Sequence, residues 1–327
     1  MSFNQYTWDL YKQTTIGIEM IKYFSDAGGY VLFKDYCPYA NFIPEDLYND
    51  WLENIYCYGV SDYDHPSSLE EAKDLYISLI TLGIRVEGQQ WLPANDFKNM
   101  LGIIQPMSYV LSQFAPEYFF PYLFLCRIFE LNKIADFFNI DLPNIPKRTD
   151  YKGRCMYYWE LCEVFYLFRK ENGLSPADLW SFLYDFAPNN LPSEKIDMPK
   201  PSQVWFIGGR LYQEDKSLES KFWQSSPETK KGDILVHYET SPISAITCIE
   251  ISLTDGVIDP LFRYYGCIYI GNRINIPHIT LKELQTDEYF FKHPLVRKNF
   301  QGVNGWSVNS ERSEERRVGK ECRSRWS

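Results

Sequence analysis

A proline-rich segment divides this chain of 327 residues into two parts with different apolar patterns. Residues 188–201 contain four prolines among polar side chains, and proline interrupts helices and central strands alike. Before this segment the apolar residues recur at helical spacing, whereas after it they alternate as in strands. The sequence therefore predicts an α+β protein with a helical domain at 1–188, a linker at 189–202 and a β-rich domain at 203–311.

Charge is distributed unequally between these two parts. The whole chain has a net charge of −10, and residues 1–200 carry 27 acidic against 16 basic side chains. Residues 201–311 are closer to balance, with 13 acidic and 11 basic side chains. The composition excludes a basic coat of the histone kind, but the second part can approach a polyanion at a smaller electrostatic cost.

The sequence also bears on where the protein resides. No stretch reaches the ~20 uninterrupted apolar residues that span a bilayer, and the first residues lack the pattern of a signal peptide. Residues 1–311 contain seven cysteines and no Cys-x-x-Cys motif, which is typical of free thiols in a reducing compartment. We therefore expect a soluble cytoplasmic protein that binds no membrane.

The last residues, 312–327, differ abruptly from the rest, because nine of these sixteen positions are charged and no apolar period runs through them. One choice of codons for this segment resembles a short-read sequencing adapter. We therefore interpret it as a translated adapter, a non-native tail, and exclude it from the fold.

The apolar spacing of the first part predicts several helices. They run from a cap at Ser67 or Ser68 to about Leu82, from about Pro116 to Phe138 and from about Tyr151 to Lys170. After the stop signal Asn172-Gly173, a further helix begins at Ser175-Pro176. That helix lacks any basic residue and carries aromatics where a DNA-recognition helix needs Arg, Lys, Asn or Gln, so we interpret the pair as a buried hairpin.

Alternating β-branched and aromatic residues predict strands in the second part. The predicted strands are Gln203–Gly209, Ile234–Tyr238, Ser244–Ser252 and Cys267–Ile270. A turn at Lys231-Gly232-Asp233 precedes the second of these strands, and Thr280 with Glu283 forms the capping box of a short helix. A closed or partly closed barrel is the economical arrangement for several short strands.

The residues give weak grounds for catalysis. The His-Tyr-Glu sequence at His237 matches half of a zinc-deaminase motif, but the Pro-Cys-x-x-Cys that supplies the other ligands is absent. Asp255 and Asp259 neighbour a glycine and a proline, the usual setting of turn residues. We therefore predict no catalytic residue, no cofactor and no metal site.

The parts of a nucleotide-binding surface are better represented in the second part. Aromatic side chains stack on bases, polar groups read base edges and cations hold phosphate. The aromatic residues are Trp205, Trp223, Tyr238, Tyr264, Tyr265, Tyr269 and Trp306, and a basic cluster comprises Lys292, Arg297 and Lys298. The alternative that most of these aromatics belong to the core stays open.

The order of residues in the second part resembles the EVE branch of the PUA-like fold, which is related to the YTH and ASCH domains. The resemblance rests on Val204–Gly208, Trp223, Lys231–Tyr238, Ser244–Ile249, Ile279–Leu284 and Pro294–Arg297. It covers about a third of the chain and implies a small β-barrel that binds modified bases in DNA or RNA, often by flipping the base into an aromatic pocket. The implied pocket positions are Trp223, Tyr238, Thr240, Ser241 and Arg297.

Our leading hypothesis is a non-catalytic, cytoplasmic, bacterial protein that binds nucleic acid, including a modified base, through residues 203–311. Trp223 and Tyr238 would stack on the base, Thr240, Ser241 and Asn304 would bind its edges, and Arg297 with Lys298 would hold phosphate. One alternative is a metal-dependent hydrolase using Asp255 and Asp259 with Glu250. Another is a protein-interaction module working through the helical part, which could bind a protein partner.

Overall fold

The computed structural model describes residues 3–37, 40–86, 89–191, 198–209, 221–262 and 266–309. The chain divides into two units, one within 1–193 together with 259–264, the other within 194–258 together with 265–327. The first unit is mainly helical and the second contains a seven-stranded sheet, so the protein belongs to the α+β class. The tail at 312–327 and positions 192–197 of the predicted linker lie outside the described residues.

The first unit contains eleven α-helices and one small hairpin in its described part. The helices are α1 (Gln5–Tyr11), α2 (Thr15–Asp26), α3 (Gly29–Tyr36), α4 (Glu45–Ile55), α5 (Leu69–Leu82), α6 (Phe97–Met100), α7 (Ile104–Phe114), α8 (Ile128–Phe138), α9 (Tyr151–Glu171), α10 (Pro176–Ser181) and α11 (Ala187–Asn190). The hairpin consists of β1 (Ile84–Val86) and β2 (Gln89–Leu92). Among the described residues, none of the helices has the length and apolar character needed to cross a membrane.

Local capping signals determine where several of these helices begin. The Ser68 hydroxyl accepts a hydrogen bond from the backbone N–H of Glu71 at the start of α5. Ser175 and Asp178 form a reciprocal capping box at the start of α10, next to a proline at the first helical position. The predicted starts of both helices are confirmed, and the helix predicted from Tyr151 is α9.

The helix predicted from Pro116 to Phe138 is wrong over its first half. Helix α8 begins only at Ile128, and residues 119–124 are a buried segment outside any helix or strand. Side chains of neighbouring helices bind its backbone: the N–H of Tyr122 donates to Ser108 Oγ at 2.8 Å, and Tyr158 Oη donates to the carbonyl of Phe120 at 2.7 Å. Periodicity fails here because a continuous apolar run suits a buried extended segment as well as a buried helix.

The second unit is built around one curled sheet. Its strands are β3 (Val204–Gly209), β4 (Lys221–Ser225), β5 (Ile234–Glu239), β6 (Ala245–Ser252), β7 (Val257–Ile258), β8 (Gly266–Thr280) and β9 (Trp306–Ser307). The strand order is β4-β8-β6-β5-β3-β9, with β7 beside β8, and only the β3–β5 pair is parallel among these pairings. Because β3 also contacts β4 across the sheet, the strands close into a half-barrel.

Strand β8 is much longer than the predicted strand Cys267–Ile270. It continues through Pro277, where the register against β6 shifts between the pairs Ile246–Ile279 and Cys248–Asn275. A proline has no backbone N–H to donate to a regular β-ladder. It is tolerated here because the bulge interrupts the ladder at this position. The short helix α12 (Leu281–Thr286) follows directly, with the predicted Thr280–Glu283 capping box.

The two faces of the sheet have separate cores, because side chains alternate along each strand. On one face, Phe206 and Tyr238 pack against α12 and α13 (Pro294–Arg297) through Leu284 and Leu295. On the other face lies the cluster of Trp205, Ile207, Leu235, Ile268 and Ile270, against which Trp223 packs. This second face is the interior of the half-barrel, and it carries the candidate site.

Candidate ligand-binding site at the end of strand β3

A glycine at the end of β3 allows close approach on the interior face of the half-barrel. A Cβ atom on Gly209 would lie 2.7 Å from Cζ2 of Trp223, so a larger residue there would displace the indole. Gly208 faces the other side of the sheet, where a Cβ atom would clash with the side chain of Val303. The half-buried ring of Trp223 therefore packs directly against the backbone of Gly209 and forms a wall at this strand end.

Behind this wall, three polar side chains from three strands form a chain of contacts that runs from two buried residues to an exposed arginine. His237 Nδ1 lies 3.1 Å from Oε2 of Glu250, and both residues are at most 2% exposed. The other carboxylate oxygen, Oε1, accepts from Nε of Arg273 at 2.9 Å and lies 2.7 Å from a terminal nitrogen of the same guanidinium. We call His237, Glu250 and Arg273 the polar triad.

Two irregularities in the sheet bring the polar triad together. The register of β5 against β6 shifts between His237 and Tyr238, and that of β8 against β6 shifts opposite Glu250, beside Arg273. Asn272 adopts a left-handed conformation with φ of 53° at the second shift, which asparagine tolerates better than most residues. Bulges re-aim side chains, and they are enriched beside functional sites.

The charge of Glu250 is maintained by its two partners. Burial raises the pKa of this carboxyl, but hydrogen bonds and charges from His237 and Arg273 outweigh that effect and lower the pKa below its usual value. A carboxylate beside Nδ1 holds a hydrogen on that nitrogen. The Nε2 atom of His237 is therefore the ring nitrogen left for a ligand, as an acceptor when the imidazole is neutral and as a donor when it is protonated.

Two ring nitrogens in this site are buried without a hydrogen-bond partner among the described residues: Nε1 of Trp223 and Nε2 of His237. The two rings meet edge to face, with centroids 4.7 Å apart. A buried polar atom without a partner costs free energy, so native structures rarely contain one unless a ligand or water completes it. With the imidazole neutral, the pair can bind a ligand that accepts from the indole and donates to the imidazole.

A metal ion is the other group that this region could hold. His237, Cys248 and Glu250 offer donor atoms within 4.8 Å of one another, because the first two face each other across β5 and β6. However, both oxygens of Glu250 are already bound, and the cationic Arg273 lies beside them. The arrangement therefore favours a polar organic ligand over a cation.

Three of the predicted site residues lie around the end of β3. Trp223 forms the wall, Oδ1 of Asn304 accepts from the N–H of Gly208 at 2.7 Å, and the N–H of Thr240 donates to the carbonyl of Gly209 at 3.3 Å. Ser241 follows Thr240 and is exposed.

Tyr238 has a different environment from the one expected of a base-stacking residue. It is 3% exposed and stacks on Phe300, with centroids 4.0 Å apart and an interplanar angle of 6°. Since it follows His237 directly on β5, it points to the opposite face of the sheet and belongs to the core there. We therefore leave Tyr238 out of the candidate site.

The predicted phosphate-binding residues are exposed at the end of α13. Arg297 is the last residue of this short helix, and Nζ of Lys298 lies 5.9 Å from the ring centroid of Trp306. No side-chain hydrogen bond or ion pair among the described residues joins these two cations to the end of β3. They offer positive charge on the surface of the same unit.

The carboxylates of the hydrolase alternative each have structural partners. Asp255 is exposed, accepts from the N–H of Lys231 at 2.8 Å and pairs with Lys230 at 3.2 Å. Asp259 is buried in the first unit, where it accepts backbone N–H groups of Cys126, Leu261 and Phe262. Turn and loop geometry accounts for both residues.

Sequence reasoning missed the polar triad. Glu250 was weighed only as a metal ligand, and Arg273 falls in a stretch where no strand is predicted. The sequence did offer one signal: Glu250 is an ionisable residue within the otherwise apolar strand β6, at a buried position. Such a residue needs polar partners, because burying an unpaired charge is costly. The partners of Glu250 depend on register shifts that no local pattern reveals.

Comparisons with known proteins add little to this geometry. No protein-family model matches the chain, and no curated protein matches it either. One solved structure that is similar in part is the NMR structure of Rpa0253 from Rhodopseudomonas palustris, at 13% identity. The similarity covers 33% of this chain and 86% of that one with a TM-score of 0.29, which is too low to support any inference.

Proposed function

We propose that the second unit binds nucleic acid by holding one unstacked base at the end of β3, beside Trp223 and the polar triad. The observation that carries this proposal is the pair of buried, unpartnered ring nitrogens on Trp223 and His237. A base edge presents adjacent donors and acceptors, which is the complement of an indole N–H beside an imidazole lone pair. Thr240, Ser241 and Asn304 would contact the rest of the nucleotide.

We further propose that the half-barrel is a PUA-like domain of the EVE branch and that modified bases are among its ligands. The curled sheet is compatible with that fold, and the resemblance in motif order along 204–297 is its main support. Arg297 and Lys298 would hold phosphate, and the near-neutral charge of residues 201–311 permits such contacts. Under this proposal the unit is a reader and performs no chemistry on the base.

The test is fluorescence anisotropy of the full chain with matched DNA and RNA oligonucleotides, with and without methylated or hydroxymethylated bases, at two salt concentrations. Replacing Trp223 by alanine should weaken binding by about 5- to 150-fold, the effect of losing about 1–3 kcal/mol of base stacking. Trp91→Ala is the matched control, because Trp91 is an exposed tryptophan of the first unit. Equal affinity of a folded Trp223→Ala variant and the control would refute the proposal.

A second variant tests the imidazole separately. His237→Phe keeps an aromatic ring beside Trp223 but removes both ring nitrogens, so binding should fall while the ring contact remains. Circular dichroism and thermal unfolding establish that the variant is folded. Binding at the wild-type level in a folded His237→Phe protein would exclude His237 from the base site.

A further inference from the structure

The helical unit contains a cavity that plays no part in the proposed nucleic-acid site. Its volume is about 700 Å³, within the range of pockets that bind small molecules. Helices α3 and α4, the beginnings of α7 and α9, and residues 261–262 all contribute to its wall. Every contributing segment belongs to the first unit.

The cavity wall is positively charged, although this part of the chain is acidic overall. Lys98, Arg148 and Arg154 line it, and none of the described lining residues is acidic. Lys98 and Arg148 are exposed, whereas Arg154 is 4% exposed and donates to the backbone carbonyls of Pro260 and Arg148. Asp259 offsets part of the Arg154 charge from behind the wall, but it does not line the cavity.

Two tyrosine hydroxyls of the cavity wall are buried and lack a partner in the described part of the chain. Tyr48 and Tyr122 are 1% and 0% exposed, and the hydroxyl of each is without a hydrogen bond there. Tyr48 stacks on Phe33 with centroids 3.8 Å apart, so its ring is fixed. Buried hydroxyls are normally satisfied, which points to a ligand that accepts hydrogen bonds.

The beginning of α7 adds to the positive potential. This helix has eleven residues, its first two residues, Ile104 and Gln105, line the cavity, and its N-cap residue Ile103 makes no side-chain hydrogen bond to the first turn. The N-terminus of a helix carries partial positive charge on its free N–H groups. The N-terminus of α7 therefore attracts an anion to the cavity, as the three cationic side chains do.

We propose that this cavity binds a small organic anion with a planar aromatic body. The carboxylate, sulfonate or phosphate group would lie near Lys98, Arg148 and Arg154 and accept hydrogen bonds from the two tyrosine hydroxyls. The aromatic body would pack against the apolar and aromatic wall, which includes Phe33, Trp51 and Phe262. This inference is independent of the nucleic-acid proposal, because it concerns the other unit.

The test uses two fluorescent probes with the full chain. Anilinonaphthalene sulfonate has the required aromatic body and anion, and phenylnaphthylamine has the same body without the sulfonate. The sulfonate probe should bind at least about tenfold more tightly than the neutral probe, since charge-assisted hydrogen bonds add to the apolar contact. Equal affinity for the two probes would refute recognition of the anion.

Charge variants locate the site. The double variant Lys98→Gln/Arg148→Gln should weaken sulfonate binding by about tenfold while leaving the neutral probe unchanged. Lys22→Gln/Lys34→Gln makes the same change in net charge at exposed positions that do not line this cavity. If both double variants bind the sulfonate equally well, the cavity is not its site.

Removing one tyrosine hydroxyl tests the role of the buried tyrosines in binding and leaves the fold intact. Tyr122→Phe removes an oxygen that has no partner among the described residues, so the melting temperature should not fall. Sulfonate affinity should fall by about threefold, the effect of losing one neutral donor. Tyr6→Phe, at a 72% exposed position, is the control, and an affinity of Tyr122→Phe equal to this control would exclude Tyr122 from the site.

Discussion

Asp233 organises the turn that precedes β5. Its buried carboxylate accepts from the backbone N–H groups of Ser202, Gln203 and Lys230, from the Ser202 hydroxyl and from the indole of Trp205. Burial by itself raises the pKa of this carboxyl, but these hydrogen bonds outweigh it and hold the pKa below its usual value. The residue thus joins β3, the turn and β5.

Replacing Asp233 by asparagine should lower the free energy of unfolding by about 2 kcal/mol, because the amide cannot accept the bonds that Oδ2 accepts from Lys230 and Trp205. Urea denaturation measures this loss. Since the folded-state pKa is depressed, the stabilisation is present above the usual value of about 3.9 and is lost as the pH falls through the folded value. Asp255→Asn is the exposed control and should change stability by less than about 0.5 kcal/mol; equal losses would contradict this account.

Asp259 shows the opposite behaviour, because burial raises its pKa to about 6 despite backbone hydrogen bonds that lower it. The protonated form is therefore favoured by folding, and its contribution is lost as the pH rises from about 4 through 6. The stability of the wild type relative to Asp259→Asn should fall over this range, as measured by urea denaturation at several pH values. Parallel stability curves for the two proteins would show that this carboxyl does not titrate as inferred.

At the scale of elements, the buried segment 119–124 depends on its neighbours for hydrogen bonds. It has no helix or ladder of its own, so the hydroxyls of Ser108, Tyr158 and Tyr184 bind its backbone groups. A buried backbone group without such a partner would be costly. The segment can therefore be buried only because side-chain hydroxyls of the facing helices complete its backbone hydrogen bonds.

Ser108→Ala should destabilise the first unit by about 1–3 kcal/mol, because the buried N–H of Tyr122 loses its acceptor. Thermal and urea unfolding provide the measurement. Ser112→Ala is a close control: Ser112 is buried one turn further along α7, but its hydroxyl donates to the carbonyl of Tyr109 in the same helix. A loss in the control as large as in Ser108→Ala would mean that the segment does not rely on Ser108.

At the scale of the whole molecule, the first unit is discontinuous in sequence. Residues 259–264 belong to it although they follow β7 of the second unit. Within the first unit, Asp259 binds the N–H of Cys126, and the carbonyl of Pro260 accepts from Arg154. Asp259 and Pro260 thus complete the helical core of the first unit although they are distant from it in sequence.

A fragment ending at residue 193 should therefore unfold at a lower temperature than the helical unit does in the full chain. It loses the acceptors of Cys126 and Arg154 and leaves a buried guanidinium with fewer partners. Differential scanning calorimetry compares the transitions. A chain ending at residue 309 keeps 259–264 and serves as the truncation control. If the fragment has the same melting temperature as the helical unit of this control, residues 259–264 add no stability.

Local sequence patterns were sufficient to predict the fold class and several helix starts of this protein. Long-range packing determined the remaining features. The α+β class and the caps at Ser68, Ser175 and Thr280 followed from sequence, because spacing and capping act within a few residues. Sequence did not predict three other features: the polar triad, the buried segment 119–124 and the place of residues 259–264 in the first unit. Each depends on groups distant in sequence, through strand register or side-chain bonds to backbone, and only the folded chain brings those groups together.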